Sequence, residues 1–296
     1  MVTFDAVKAR HSFAIALAVA TFLLVIAGSL VTTTGSGLAV PDWPLSFGQI
    51  FPRMEGGVLF EHGHRLIATT IGVLTVVLAV WTSRAEPRRW VRFLGWAMLG
   101  CVVLQGVLGG VTVLLRLPPS ISVAHAGLAQ IFFAMTVMMA SVTGSQHPAP
   151  SARPAFRLAL VTALAIYVQI IVGAIVRHLG AGLAIPTLPL ANGRVIPEFT
   201  DYLVAWQFAH RVMALLALLL VAATTARVVR RHPDAPSLTR PAALLSALAV
   251  WQILLGGLTI WTYRAITPVT AHVAGGALLF ATSIVLAVRT RVDVSA

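Results

Sequence analysis

The chain has 296 residues, of which 58% are hydrophobic and only 10% charged, and its mean hydropathy is +0.90. Soluble domains carry about a quarter charged residues, so this composition excludes an ordinary soluble protein and indicates an all-α integral membrane protein. The formal net charge of +12 is not gathered into a basic face or tail of the kind that binds nucleic acid, so we expect no nucleic-acid partner.

Eight apolar runs follow one another along the chain, and each is long enough to cross a bilayer as a helix of about 20 residues. The predicted spans are 12–33, 62–83, 93–115, 122–143, 158–178, 203–226, 241–262 and 269–289. The first run follows Lys8 and Arg10, and it is too long and lacks a clean cleavage site for a removable signal peptide. We therefore predict that it is retained. The single cysteine, Cys101, lies in mid-span, which predicts neither a disulfide nor a thiolate metal site.

The distribution of basic residues predicts that both termini are cytoplasmic. In that orientation 14 of the 21 Lys and Arg residues fall in inner segments, as the positive-inside rule requires: Lys8, Arg10, Arg84, Arg88, Arg89, Arg92, Arg153, Arg157, Arg227, Arg230, Arg231, Arg240, Arg289 and Arg291. They would contact anionic membrane lipid. Two long loops, 34–61 and 179–202, then lie outside. Because no transit peptide is visible, we expect a prokaryotic plasma membrane.

The sequence repeats itself once, which predicts two related halves. Residues 105–112 match 252–259 at an offset of 147, and the same offset carries His125 onto His272. Two further matches, at offsets of 146 and 145, carry His64-Arg65 onto His210-Arg211 and residues 35–41 onto 180–186. We therefore predict two pseudo-symmetric four-helix bundles, 1–147 and 148–296. Since each half has an even number of helices, they would be parallel repeats about an axis along the membrane normal.

Four histidines in matching positions predict two haem sites near the outer face. They lie in the first turn or so of the second, fourth, sixth and eighth predicted helices, which all begin on the outer side: His64, His125, His210 and His272. Each half thus offers two imidazoles on parallel helices, which suits the two axial positions of a haem iron. Glycines at 109–110, 127, 256–257 and 275–276 would allow close approach of a flat ring.

Two other interpretations apply to histidines in membrane helices. An intramembrane histidine is often an interhelical hydrogen-bonding residue, and a zinc site would need a third ligand that neither half supplies. The remaining histidines are not predicted to be iron ligands. His11, His147 and His232 lie at cytoplasmic ends, the repeat pairs His62 with Phe208, and His178 has no histidine counterpart.

Charged residues beside these histidines distinguish the halves. Arg65 and Arg211 directly follow a paired histidine and could bind haem propionates as bidentate donors, although arginines at helix ends also snorkel to lipid headgroups. Glu61 shares a helix face with His64, whereas its counterpart is Gln207. This asymmetry favours an active site in the first half. The alternative is that Glu61 is only a partner for Arg65 or a residue at the lipid surface.

At these residues the sequence resembles the haem A synthase family of cytochrome oxidase assembly enzymes, over nearly its whole length. The motifs are Glu61-x-x-His64-Arg65, Thr34-Gly35-Ser36-Gly37-Leu38 leading to Pro41-Asp42-Trp43-Pro44, Ala124-His125, Ala209-His210-Arg211 and Ala271-His272. The resemblance implies that successive hydroxylation oxidises the haem O methyl group to a formyl group, giving haem A for terminal oxidases. It further implies haem O as substrate between His64 and His125, with Glu61 required, and haem b as cofactor between His210 and His272.

The outer loops depart from the pattern of many bacterial members. Cysteine pairs in those members match Val40 and Ser46 here, then Ile185 and Ala191, so a mechanism that needs loop thiols is in doubt. Trp43, which becomes Leu188 in the second half, could cover a hydrophobic ligand or be an interfacial aromatic residue. Delivery of haem O by a haem O synthase, an unidentified electron donor and a homo-oligomer are further expectations.

Two other classes of function stay open at this point. A di-haem b-type electron carrier or a haem-handling chaperone would hold two equivalent haems, and the contrast between Glu61 and Gln207 argues against that equivalence. A transporter would fit parallel repeats, but transporter sites lie near the bilayer midplane.

Overall fold

The computed structural model describes residues 4–144 and 153–291. Over this part of the chain it has eight α-helices long and apolar enough to cross a membrane, which confirms the all-α membrane fold. They are α1 (Phe4–Thr33), α2 (Gly57–Ala85), α3 (Arg89–Leu114), α4 (Pro119–Thr143), α5 (Arg153–His178), α6 (Tyr202–Arg231), α7 (Pro236–Trp261) and α8 (Ile266–Arg291), with one 3₁₀ turn at Ala181–Leu183 before α6.

The helices extend beyond the apolar runs that predicted them. α2 begins at Gly57 rather than at residue 62, and α6 continues to Arg231 rather than ending at 226. Hydropathy marks the apolar span, whereas the backbone stays helical through the charged residues beside it. As a consequence, the four predicted iron ligands are the seventh to ninth residues of their helices. They lie about 5 Å or more beyond the end of the first turn, at 1.5 Å of rise per residue, and so deeper in their helices than the first turn or so that was predicted.

Two compact units divide the chain, Met1–Gln146 and His147–Ala296. In the first unit α1 packs against α2 and α4, and α3 packs against the same two helices. In the second unit α5 and α7 each pack against α6 and α8. The predicted boundary and His147 lie in 145–152, outside the described residues.

The interior of each unit is filled by large apolar side chains. The most completely buried are Leu17, Ile71, Leu78, Met98 and Met139 in the first unit, and Ile166, Leu238, Leu245 and Leu286 in the second. In lipid these contacts stabilise a bundle through close packing rather than through removal from water. Hydrogen bonds add to them, as between the hydroxyls of Thr162 and Thr224, 2.7 Å apart on α5 and α6.

A buried ion-pair cluster ties the helices of the first unit together at the end away from its long loop. The Glu86 carboxylate accepts hydrogen bonds from Arg10 Nη2 at 2.7 Å and from Arg88 Nε at 2.6 Å. Arg88 also donates to the carbonyl of Val142 at 2.8 Å. Arg10 and Glu86 are almost fully buried. The cluster therefore links α1, the connection between α2 and α3, and the end of α4.

The long loops, 34–56 and 179–201, have the same local geometry at an offset of 145 residues. Each contains an isolated antiparallel bridge, Ser46 with Gln49 and Ala191 with Arg194. Each also contains a cis peptide before proline, at Trp43-Pro44 and Leu188-Pro189. The residue after each bridge start, Phe47 or Asn192, has a positive φ. The internal repeat therefore extends into loop conformation.

Candidate functional site

Each of the four predicted iron ligands packs against a glycine of the preceding helix. A Cβ built on these glycines would lie 2.8–3.4 Å from the Cε1 atom of the ring: Gly28 at 3.0 Å from His64, Gly109 at 3.1 Å from His125, Gly173 at 2.8 Å from His210 and Gly256 at 3.4 Å from His272. Sequence reasoning had singled out Gly109 and Gly256 but missed Gly28 and Gly173, which match one another at an offset of 145. The glycines make room for the imidazoles.

We expect Gly173→Ala to displace the His210 ring, because its new methyl group would lie 2.8 Å from Cε1. Overpacking of this kind costs about 1–3 kcal/mol. Gly256→Ala is the matched control, since its methyl group would meet His272 Cε1 at an ordinary 3.4 Å. The measurement is the absorption spectrum and haem content of each purified variant. Equal haem content and equal spectra in the two variants would contradict this account of the glycine.

The histidine pair of the second unit has the geometry that one iron atom would need. The ring centroids of His210 and His272 are 6.4 Å apart and the ring planes are inclined by 78°. Metal–imidazole bonds of about 2 Å on each side, with the half-widths of two rings, require a separation on the order of 6 Å. Because Arg211 Nε and Nη1 are also buried with no partner among the described residues, this unit fits an iron with a carboxylate beside it.

Glutamine amides orient three of the four histidines. Gln169 Nε2 donates to the backbone carbonyl of His210 at 3.0 Å and lies 3.1 Å from its Nδ1. Gln252 makes the same two contacts with His272, at 2.9 and 3.1 Å, once its amide is turned to satisfy its neighbours. Gln105 donates to the His125 carbonyl at 3.0 Å. Gln105 also lies 3.3 Å from Nε2 of His125, so the ring nitrogen that faces the amide differs between the units, and the contact that all three glutamines share is the bond to the histidine backbone carbonyl, which fixes that turn of the helix.

The histidine pair of the first unit has free nitrogens. The Nδ1 atoms of His64 and His125 are each buried without a partner among the described residues. Buried polar atoms are rarely left unpaired, so these nitrogens fit a ligand. In residues 4–144 and 153–291 no three His, Cys, Asp or Glu side chains gather as a metal site would need.

Glu61 is buried and held at both carboxylate oxygens. Oε1 accepts from Arg65 Nη2 at 2.6 Å, and Oε2 accepts from the backbone N–H of Val40 at 2.8 Å. Arg65 Nη1 is engaged as well, by the carbonyls of Asp42 at 2.8 Å and Leu45 at 3.0 Å. The pairing of Glu61 with Arg65, considered above as an alternative, is therefore present. It fixes the carboxylate on the loop side of α2 and leaves Arg65 few free donors.

The matching position in the second unit is neutral. Gln207 accepts from the backbone N–H of Ile185 and donates to the Gly182 carbonyl at 2.8 Å. Arg211 Nη2 donates to the carbonyls of Ile185 and Thr187 at 2.9 and 2.8 Å, while Nε and Nη1 have no partner within the described part of the chain. The two arginines therefore differ. Arg211 has buried donors that could bind a carboxylate, whereas the donors of Arg65 bond to the loop and to Glu61.

One buried polar pair was not predicted. His62, left out as an iron ligand, places Nδ1 2.7 Å from Ser46 Oγ, and both side chains are buried. The counterparts are Phe208 and Ala191, although the two loops share their bridge and turn geometry. The polar pair is therefore not what the loop needs in order to fold. The sequence did contain a sign of this pair, because two positions that are apolar in the second half are both polar in the first.

Asp42 fixes the turn that follows Trp43. Its carboxylate accepts from the backbone N–H groups of Phe47 at 2.7 Å and Gly48 at 2.9 Å. These bonds, the one from Gly48 foremost, hold the pKa of Asp42 below its usual value. Because Arg65 binds the Asp42 carbonyl from the other side, the backbone before Trp43 is held at two points.

Comparison with known proteins identifies relatives over almost the whole chain. Residues 55–284 match the family model COX15-CtaA, described as "Cytochrome oxidase assembly protein". A protein of Symbiobacterium thermophilum named "Heme A synthase" is 33% identical over 269 residues, covering 85% of each chain. Two others of that name are 29% identical: one from Geobacillus kaustophilus, covering 94% of this chain and 92% of its own, and one from Caulobacter vibrioides, covering 91% and 92%.

Proposed function

Because the chain belongs to the COX15-CtaA family of cytochrome oxidase assembly proteins, we propose that it is a haem A synthase, a multi-pass membrane oxidoreductase that converts haem O to haem A. The reaction oxidises a methyl group on the macrocycle to a formyl group. It replaces two hydrogen atoms of the methyl group with one oxygen atom, so it needs an oxidant that supplies oxygen and a route for protons, and successive hydroxylation by dioxygen would also draw electrons from a donor, with water as the second product.

We propose that one unit binds the substrate and the other binds a resident cofactor. Haem O, the substrate, would lie between His64 and His125, and a resident haem b would lie between His210 and His272. The observation that carries this assignment is a buried carboxylate one helical turn from a predicted iron ligand, which the first unit has in Glu61 and the second unit replaces with Gln207. A haem iron held by two imidazoles supplies one-electron transfer when it is bound.

Within the first unit, Glu61 would be the group that holds or accepts a proton during the oxidation. Its two oxygens are fixed by Arg65 and by the Val40 N–H, so the carboxylate is positioned before substrate arrives. Preorganised groups of this kind need no rearrangement at the moment of reaction. In the second unit Arg211, with two buried nitrogens unpaired, would bind a propionate of haem b.

The setting of the reaction is also part of the proposal. Both termini would lie in the cytoplasm of a prokaryotic cell, with the long loops and both haem sites toward the outer face, because 14 of the 21 basic residues then satisfy the positive-inside rule. Haem O would come from a haem O synthase in the same membrane. The electron donor and any homo-oligomer are matters for experiment.

Haem extraction and chromatography test the function directly. The protein is purified after expression with and without a haem O synthase, and its haems are separated. We expect haem B in both preparations, with haem O or haem A added only when haem O is supplied. Haem B alone at two per chain would favour a di-haem electron carrier, and a haem-free protein would return the four histidines to helix packing.

A further inference from the structure

Two adjacent glycines of α3 each support an aromatic ring. Gly109 contacts the imidazole of His125, and Gly110 contacts the indole of Trp43. The second contact is so close that a Cβ on Gly110 would lie 2.5 Å from Trp43 Cδ2. Because neighbouring residues of a helix differ by only 1.5 Å in height, the indole and the predicted iron ligand pack on the same short stretch of α3.

The second unit has the same arrangement with a different side chain. Gly256 contacts His272, and Gly257 contacts Leu188 at 3.2 Å and Trp261 at 3.1 Å, measured from a built Cβ. Leu188 is the repeat counterpart of Trp43, and each precedes a cis proline. The position beside the ligand histidine is therefore common to both units, while the flat aromatic side chain from the loop is found in the first.

The Trp43 indole is held in place and yet remains 40% exposed. One face lies on Gly110, and the backbone before it is fixed through the Asp42 carbonyl and carboxylate. This fixed and partly exposed ring packs on the residue next to the glycine that contacts His125, and the Nδ1 atom of His125 is buried with no partner among the described residues, so the indole presents apolar surface near the place where a ligand would bind. Aromatic rings stack on, or pack edge to face against, other flat π-systems.

We infer that Trp43 contacts the substrate in the first unit, where its indole packs against the edge of a porphyrin macrocycle held by His64 and His125. The inference rests on the function proposed above. Trp43 thereby contributes to the affinity of the first unit for a haem that must enter and leave, whereas Leu188 occupies the corresponding position beside the haem that stays. An aromatic pair contributes about 2- to 10-fold in affinity beyond its area.

Titration of haem O into the full-length protein, with haem b in place, tests this inference. Trp43→Leu, which copies the second unit, is expected to weaken haem O binding by about tenfold, and Trp43→Phe, which keeps an aromatic ring, by less. Quenching of tryptophan fluorescence on haem O addition should be smaller in Trp43→Phe than in the wild type. Trp96→Leu is the matched control and should leave the haem O affinity unchanged, because Trp96 is an exposed tryptophan of the same helix and lies about 20 Å along it from Gly110.

The outcomes separate this inference from the proposed function. Wild-type haem O affinity in both Trp43→Leu and Trp43→Phe would make Trp43 an interfacial aromatic residue and overturn the inference, even if the wild type makes haem A. Weaker binding in Trp43→Leu, in a protein that makes no haem A, would uphold the contact and refute the function. The haem b content of each variant shows whether it has folded. If Trp43→Leu loses haem b, the haem O affinity of Trp43→Phe is compared with that of the wild type instead.

Discussion

Glu61→Gln is expected to abolish haem A formation while the protein keeps its haems. A positioned proton-transfer group contributes about 10²- to 10⁴-fold to a rate, and an amide cannot take up a proton in its place. The structure favours a folded variant, because Gln207 already occupies the matching position in the second unit and bonds to the Ile185 N–H and the Gly182 carbonyl. The measurement is the haem A formed per chain from haem O, together with total haem content.

Gln207→Glu is the matched control for that experiment. It introduces a carboxylate beside Arg211 in the second unit and leaves Glu61 in place, so we expect haem A formation to persist. Loss of haem from Glu61→Gln would instead assign Glu61 to binding. Undiminished haem A formation in Glu61→Gln would remove Glu61 from the chemistry and reduce it to a partner of Arg65.

Eight spans and their order could be predicted from the sequence because hydropathy and the internal repeat are chain-wide signals. The residues at which the helices begin could not be predicted in this way. α2 starts at Gly57, and its first turns carry Glu61, His62 and His64, polar residues that a hydropathy window counts against a membrane span. Backbone hydrogen bonding continues through polar residues, so a membrane helix can start well before its apolar span does.

Residues with ionisable or aromatic side chains could be found from the sequence, whereas their contacts could not. The repeat aligns His64 with His210 and Glu61 with Gln207, and so shows that the first half has a carboxylate where the second has a neutral amide. Gln169 escaped notice because its repeat counterpart is Leu24, so the comparison that revealed Gln105 and Gln252 had nothing to match. The contact of Trp43 with Gly110 joins residues far apart in the chain, and only the folded loop brings them together.

His62 illustrates a limit of the same kind. The repeat pairs it with Phe208, which correctly separated it from the predicted iron ligands. Its bond to Ser46 depends on the loop bridge between Ser46 and Gln49, and a sequence pattern does not contain that bridge. The physical reason is general, since hydrogen-bond partners across a loop follow from its conformation and not from spacing.

His64→Ala and His125→Ala are expected to remove haem O and haem A from the purified protein while haem B remains. Each substitution deletes one of two axial imidazoles. His210→Ala and His272→Ala should have the converse effect, with loss of haem B. Because 6.4 Å separates the rings of His210 and His272, neither could be replaced by the other on the opposite side of one iron. The measurement is chromatography of extracted haems from each variant, normalised to protein.

His62→Ala provides the internal control, since it removes a buried imidazole from α2 whose ring bonds to Ser46 and is not a predicted ligand. We expect it to keep both kinds of haem. Added imidazole should partly restore haem to His64→Ala, because the deleted ring leaves a space bounded by Gly28. Equal loss of every haem in all four ligand variants would mean that these histidines support folding, and separable losses would assign one haem to each unit. If Glu61 serves an active site in the first unit alone, the two units must bind different haems. Each pair of histidine variants should then lose one kind of haem and keep the other.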